Sequence, residues 1–210
     1  MSQFQQIAQA VINGRAPETE RLINEAIASG TKPAELINQG LIAGMEVVAD
    51  RFKNNEIYVP EVLIAARAMN AGLAIVKPLV SESDLQPIGK VIIGTVKGDL
   101  HDIGKKLVAM MLEGAGFDVV DLGIDVSPER FVEAVREHQP HILGMSALLT
   151  TTMPAMAQTI KFLVEKGLRD QVKVIIGGAP ITDAFAQEIG ADAYAPDAGS
   201  AVDVAKSLVA

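Results

Sequence analysis

Asp99, His101 and Asp102 stand within four residues, bracketed by Gly98 and Gly104. A carboxylate two residues before a histidine can accept the proton of its Nδ1. That fixes the tautomer and raises the basicity of Nε2, which is what a metal ligand needs. Rival chemistries for this loop fail on spacing. A phosphate-binding P-loop needs four residues between its glycines, then Gly-Lys-Ser/Thr. Here Gly98 and Gly104 enclose five residues, and Lys106 occupies the hydroxyl position. The dinucleotide fingerprint G-x-G-x-x-G is absent from this turn. A phospho-accepting receiver wants an aspartate at the end of its third strand, where this chain has Ser146. Zinc is poorly served, because His138 and His141 fall at the opposite end of the third strand and read as structural or surface residues. A plainer reading stays open for part of the loop: Asp102 suits a helix N-cap, and the glycines suit turns.

The elements that must position this loop show two periods. Residues 90–210 alternate short apolar runs with helical stretches. The runs Val91–Thr95, Asp118–Leu122, Ile142–Ser146, Val172–Ile176 and Ala193–Ala195 predict strands. Helices are expected near Ile103–Glu113, Pro128–Glu137, Pro154–Lys166, Asp183–Ile189 and Ser200–Val209. Five βα units predict an open parallel sheet with helices on both faces. Ligands on such sheets sit beyond the carboxyl ends of the strands. The His101 loop follows the first strand and so lies where a ligand is expected.

Residues 1–80 read as four amphipathic helices in a small bundle. The first carries Phe4, Ile7, Ala8, Val11 and Ile12. The second runs from Pro17 to Gly30. The third runs from Pro33 to Asn54, with Ile37, Leu41, Met45, Val48 and Phe52 on one face. The fourth opens at Pro60 and ends at Pro78, with Leu63, Ala66, Met69, Leu73 and Val76 inward. The polar stretch 81–89, with Pro87 and Gly89, reads as a linker.

The chain has 210 residues, 49% of them hydrophobic and 21% charged, which is a globular composition. The net charge of -8 and the lack of a basic stripe argue against nucleic acid. The chain has no cysteine, so disulfides, iron–sulfur clusters and thiolate metal sites are ruled out. A reducing, cytoplasmic setting is expected, the first residues lack a signal-peptide pattern, and no apolar run is read as a membrane span.

Asp99-x-His101-x-x-Gly104 resembles the cobalamin-binding motif of corrinoid proteins and of the cobalamin domain of methionine synthase. Ser146-Ala147-Leu148 ends the third strand like that family's Ser-x-Leu, and Gly177-Gly178 ends the fourth like its Gly-Gly. Phe52-Lys53-Asn54-Asn55-Glu56-Ile57-Tyr58-Val59-Pro60-Glu61 is similar to the family's helical cap. The resemblance implies an α/β fold: an N-terminal four-helix bundle cap, then a flavodoxin-like or Rossmann-like five-stranded parallel sheet domain.

It further implies a cobalamin or related corrinoid, cycling between methylcobalamin and cob(I)alamin states. His101 would be the lower ligand of the cobalt, with Asp99 bonded behind it and Ser146 either extending the relay or meeting the base of the nucleotide tail. Gly98, Leu100, Asp102, Ile103 and Gly104 would surround that ligand. Leu148, Thr150, Gly177, Gly178 and Ala198 match positions lining the slot for the nucleotide tail, while Phe52, Val59 and Val62 match the cap over the upper face. Spacing alone makes those last three ordinary bundle core.

The implied function is a methyl carrier between a substrate:corrinoid methyltransferase and a corrinoid:acceptor methyltransferase, with tetrahydrofolate or a thiol as acceptor and a reductive activator as further partner. The carrier is a subunit rather than a complete enzyme. The alternatives are a corrinoid-dependent sensor and the small cobalamin subunit of a mutase.

Overall fold

The computed structural model describes residues 1–80 and 87–210, so most of the expected linker, residues 81–86, lies outside the described residues. The chain divides into two compact units, Met1–Pro87 with Gly114–Gly116, and Ile88–Glu113 with Phe117–Ala210.

The first unit is helical. Helix α1 (Gln3–Ile12) starts at a reciprocal cap: the Gln5 N–H donates to Ser2 Oγ, and the Ser2 N–H donates to Gln5 Oε1. Helix α2 (Ala16–Ala28) follows with proline in its first turn. The third rod is expected as one regular helix, but it divides into α3 (Pro33–Glu35), a π-helical segment (Leu36–Ile42) and α4 (Ala43–Lys53). Two glycines in this rod let α1 come close. A Cβ on Gly40 would lie 2.9 Å from Ile7 Cγ2, and one on Gly44 would lie 2.9 Å from the Ala8 carbonyl oxygen.

Helix α5 (Val59–Val76) also departs from expectation. Its buried face is Val62, Ala65, Ala66, Ala68, Met69, Gly72 and Val76, whereas Leu63 is exposed. Large aliphatics mark a face by weight, but close helix packing selects small residues. A Cβ on Gly72 would meet Leu41 Cδ2 at 2.7 Å. The span Val59–Leu79 is long and apolar enough to cross a membrane by length and composition, although Glu61, Arg67 and Lys77 interrupt it. Its apolar residues Val62, Ala65 and Met69 are buried in the protein's own core.

The second unit holds the sheet. Strands β1 (Lys90–Thr95), β2 (Asp118–Asp121), β3 (Ile142–Ser146), β4 (Lys173–Gly177) and β5 (Ala193–Ala195) alternate with α6 (Ile103–Gly114), α7 (Pro128–His138), α8 (Pro154–Glu165), α9 (Asp183–Ile189) and α10 (Ala198–Val209). All strand pairs are parallel, in the order β2-β1-β3-β4-β5. This is the flavodoxin-like order, whose topological switch point falls between β1 and β3.

The central strands are buried on both faces, as Val/Ile/Leu-rich parallel strands must be. Ile92, Leu143, Val174 and Ile176 pack with Phe131, Met156 and Leu163 from the flanking helices. The register aligns the strand ends into one row: Thr95 pairs with Ser146, Ser146 with Gly177, and Gly177 with Ala195. The motif residues are therefore level along the carboxyl edge of the sheet.

Candidate functional site

The loop after β1 turns sharply at Gly98, whose φ of +83° favours glycine. The turn points the Asp99 side chain inward, where it is fully buried. Asp99 Oδ1 accepts from His101 Nδ1 at 2.8 Å and from the His101 N–H at 3.1 Å. Across the switch point, Asp99 Oδ2 accepts from the Leu148 N–H at 2.7 Å, the Leu149 N–H at 3.3 Å and the Thr152 hydroxyl at 2.7 Å. The Thr95 hydroxyl, itself buried, donates to the His101 carbonyl at 2.9 Å. Loops from β1 and β3 are thus locked together through one carboxylate.

Burial alone would raise the Asp99 carboxyl pKa. The hydrogen bonds from Thr152, Leu148 and His101 outweigh it and hold the group well below the usual carboxylate range. An ionised Asp99 accepts only, so the proton of the neutral imidazole sits on Nδ1. The lone pair then sits on Nε2, and the ring is half exposed, at 51%. That combination suits a ligand waiting for a metal.

The donor set says which kind of metal fits. Among the described residues, no group of three or more His, Cys, Asp or Glu side chains could hold an ion. A bare transition metal needs several protein donors. One histidine would be enough for a metal that arrives inside its own macrocycle and takes a single donor from the protein. The surroundings fit a flat apolar ring. Leu100, Ile124, Leu148 and Leu149 on the loops after β1, β2 and β3, and Ile103 at the start of α6, are all exposed. Exposed apolar residues gathered at one edge mark a binding surface. A Cβ on Gly104 or Gly123 would meet nothing within 4 Å, so the edge stays open beside them.

The other expected residues take distinct places. Ser146 is half-buried in the row between Thr95 and Gly177, but the partners of Asp99 Oδ2 are Leu148, Leu149 and Thr152. Thr152 stands two residues before Pro154, where a local pattern suits only a helix cap; its bond to Asp99 needs the loop folded back onto β1. Asp102 pairs with Lys106 at 2.6 Å, which lowers its carboxyl pKa, and so stands outside the histidine relay.

Gly178 has a φ of +128°, and a Cβ there would overlap the Ala147 carbonyl oxygen. On Gly177 it would come within 3.0 Å of the Ala195 carbonyl oxygen. The glycine pair therefore keeps the β3, β4 and β5 exits close. Thr150 is exposed beside Leu148 and Leu149, and Ala198 is buried at the start of α10. Within the helical unit, Val62 is buried while Phe52 and Val59 are half-buried. His141 Nδ1 accepts the Lys90 N–H at 3.0 Å at the amino edge, away from the site.

A flavodoxin-like sheet with a carboxylate-anchored, half-exposed histidine at its switch point has the form of a cofactor-binding module. Comparison with known proteins gives it a family. A model described as B12 binding domain matches residues 89–204, and a second model with the same description matches residues 3–77. The chain belongs to the B12-binding family, as a corrinoid protein of the kind that serves methyltransferase systems.

A trimethylamine corrinoid protein of Methanosarcina barkeri is 48% identical over 192 residues, covering 90% of this chain and 88% of the relative. A dimethylamine corrinoid protein of the same organism is 44% identical, covering 99% and 97%. Among solved structures, the methanol:cobalamin methyltransferase complex of Methanosarcina barkeri contains a chain that is 31% identical with a TM-score of 0.90, covering 99% of this chain and 79% of that one. A cobalamin-binding protein from Desulfitobacterium hafniense matches over 100% of both chains at 32% identity and a TM-score of 0.82.

Proposed function

We propose that this chain is a methyl carrier that takes a methyl group from a substrate methyltransferase and gives it to a second one, with His101 Nε2 as the lower ligand of the cobalt. The bound corrinoid supplies a cobalt centre that takes up and gives up a methyl group. The observation that carries the reading is the His101 ring, anchored through Nδ1 on buried Asp99 and half exposed. Asp99 holds the Nδ1 proton in place. Leu100, Ile103, Leu148 and Leu149 offer the apolar face on which a flat ring rests and exclude water from it.

Ser146, Leu148, Thr150, Gly177, Gly178 and Ala198 serve the nucleotide tail in this reading. The level row of strand ends and the tight glycine exits support it. The donor is a methylated amine: relatives named for trimethylamine and dimethylamine are 44–48% identical, against 31% for the chain in the methanol complex. The acceptor enzyme, working on tetrahydrofolate or a thiol, and a reductive activator complete the partner set.

The test is reconstitution with hydroxocobalamin, followed by desalting and visible absorption, beside a His101→Ala variant. The expected result is a retained red complex whose spectrum shifts in the variant. Loss of colour from the wild type on desalting would overturn the reading. Methyl loading by trimethylamine, dimethylamine and methanol methyltransferases then tests the donor, with transfer from methanol alone rejecting the amine.

A further inference from the structure

Beside the histidine relay lies an ion pair that the relay does not use. Lys105 is buried in the first turn of α6, its side chain 1% exposed. Its Nζ donates to Asp121 Oδ1 at the end of β2 and to the Gly123 carbonyl at 3.2 Å. Asp121 Oδ1 also accepts the Gly123 N–H at 2.8 Å, and the Gly123 carbonyl accepts the Thr95 N–H at 3.0 Å. Two residues on, Asp125 stands at a φ of +53°, uncommon for a non-glycine residue. Its Oδ1 accepts the Gly98 N–H at 2.7 Å, and its own N–H donates to the Asp99 carbonyl at 3.1 Å. Val126 then donates to the Thr95 carbonyl at 2.9 Å. The loop after β2 therefore grips the backbone from Thr95 to Asp99 at both ends, and Lys105 anchors that grip from α6.

Cohesion alone does not explain this arrangement. Taking an ammonium out of water is costly, and a well-packed aliphatic residue in place of a buried ion pair is often as stable or more so. An aliphatic residue cannot fix direction. A lysine bonded at once to a carboxylate and a carbonyl holds the β2 exit in one geometry, and the reciprocal Gly98–Asp125–Asp99 bonds pass that geometry to the residue that aims His101.

We propose that Lys105, Asp121 and Asp125 are positioning residues for cobalt ligation, fixing the Thr95–Asp99 backbone so that His101 Nε2 is aimed before the corrinoid arrives. This inference rests on the reading of His101 as lower ligand. Outer partners of metal-binding histidines typically cost about 10- to 100-fold in metal affinity when removed, and the effect expected here is of that size although these residues touch neither ring nor cobalt.

The test uses full-length protein carrying heavy-nitrogen-labelled histidine, loaded with hydroxocobalamin and mildly reduced to the cobalt(II) state. The nitrogen splitting in its paramagnetic resonance spectrum then separates a histidine ligand from the cofactor's own base. The variants are Lys105→Met, Asp125→Gly, which removes the carboxylate without straining the positive φ, and Asp125→Asn, whose amide oxygen still accepts from Gly98. Lys105→Met and Asp125→Gly are expected to bind the corrinoid about tenfold or more weakly and to show a fraction without histidine splitting. Asp125→Asn should return both readouts to wild type, and the urea midpoint of the apo Lys105→Met protein should stay near wild type.

Full histidine splitting and wild-type affinity in both Lys105→Met and Asp125→Gly would overturn this inference alone. A wild type without histidine splitting would sink the ligand reading and this inference with it. If Lys105→Met does not fold, the contrast between Asp125→Gly and Asp125→Asn decides.

Discussion

Five donors converge on the carboxylate of Asp99: the ring and backbone of His101, the backbone N–H groups of Leu148 and Leu149, and the Thr152 hydroxyl. Removing a buried acceptor strands its donors, at about 1–3 kcal/mol for a buried group left unpaired. Asp99→Ala should therefore lower the unfolding free energy of the apo protein by about 3 kcal/mol, read from urea denaturation. The pH dependence follows from the depressed pKa. The stabilisation from Asp99 is complete above the ordinary carboxylate range and is lost as pH falls through the lower folded value. The stability gap between wild type and Asp99→Ala, measured in urea from pH 7 downward, should therefore narrow only below about pH 4. Thr152→Val should cost about 1–2 kcal/mol and Thr152→Ser much less, because serine keeps the donor. Asp99 and His101 were legible from their spacing. Thr152 was not, because its partner lies across the switch point on another strand's loop.

The elements that carry the site depend on glycine where two backbones meet. Gly178 sits at a positive φ against the Ala147 carbonyl. Gly178→Ala should therefore destabilise the second unit by about 2 kcal/mol or more, seen as an earlier urea transition. In the helical unit, Gly44→Ala would press a Cβ toward the Ala8 carbonyl, which is backbone and cannot swing away. Its cost of about 1–3 kcal/mol from overpacking should exceed the roughly 1 kcal/mol that alanine gains in helix propensity. A thermal melt that rose in Gly44→Ala would contradict the close approach of α1 to this rod. The buried face of α5 turned out to be its small residues, and Leu63 lies outside it. Periodicity shows that a helix has an apolar stripe, but not which edge of a broad stripe meets the closest neighbour.

For the whole molecule, a ligand that binds only the folded chain raises its stability by mass action. At a corrinoid concentration 100 times the Kd the gain is about 2.7 kcal/mol, or a Tm rise of roughly 5–10 °C for a chain of this size. His101→Ala should show a smaller rise at the same concentration, measured by differential scanning fluorimetry. The five βα units, the helical first half and the loop that carries the chemistry are all legible in the sequence. Each of these rests on local signals: period, turn residues and a three-residue spacing. That Asp99 is bonded to the β3 loop through Leu148, Leu149 and Thr152 emerges only once the chain is folded. Folding also aligns Thr95, Ser146, Gly177 and Ala195 in one row, and it brings Asp121 against Lys105 of α6 and Asp125 against the His101 loop. Those contacts join residues far apart in the chain, and their geometry is set by strand order and register, which no short stretch of sequence encodes.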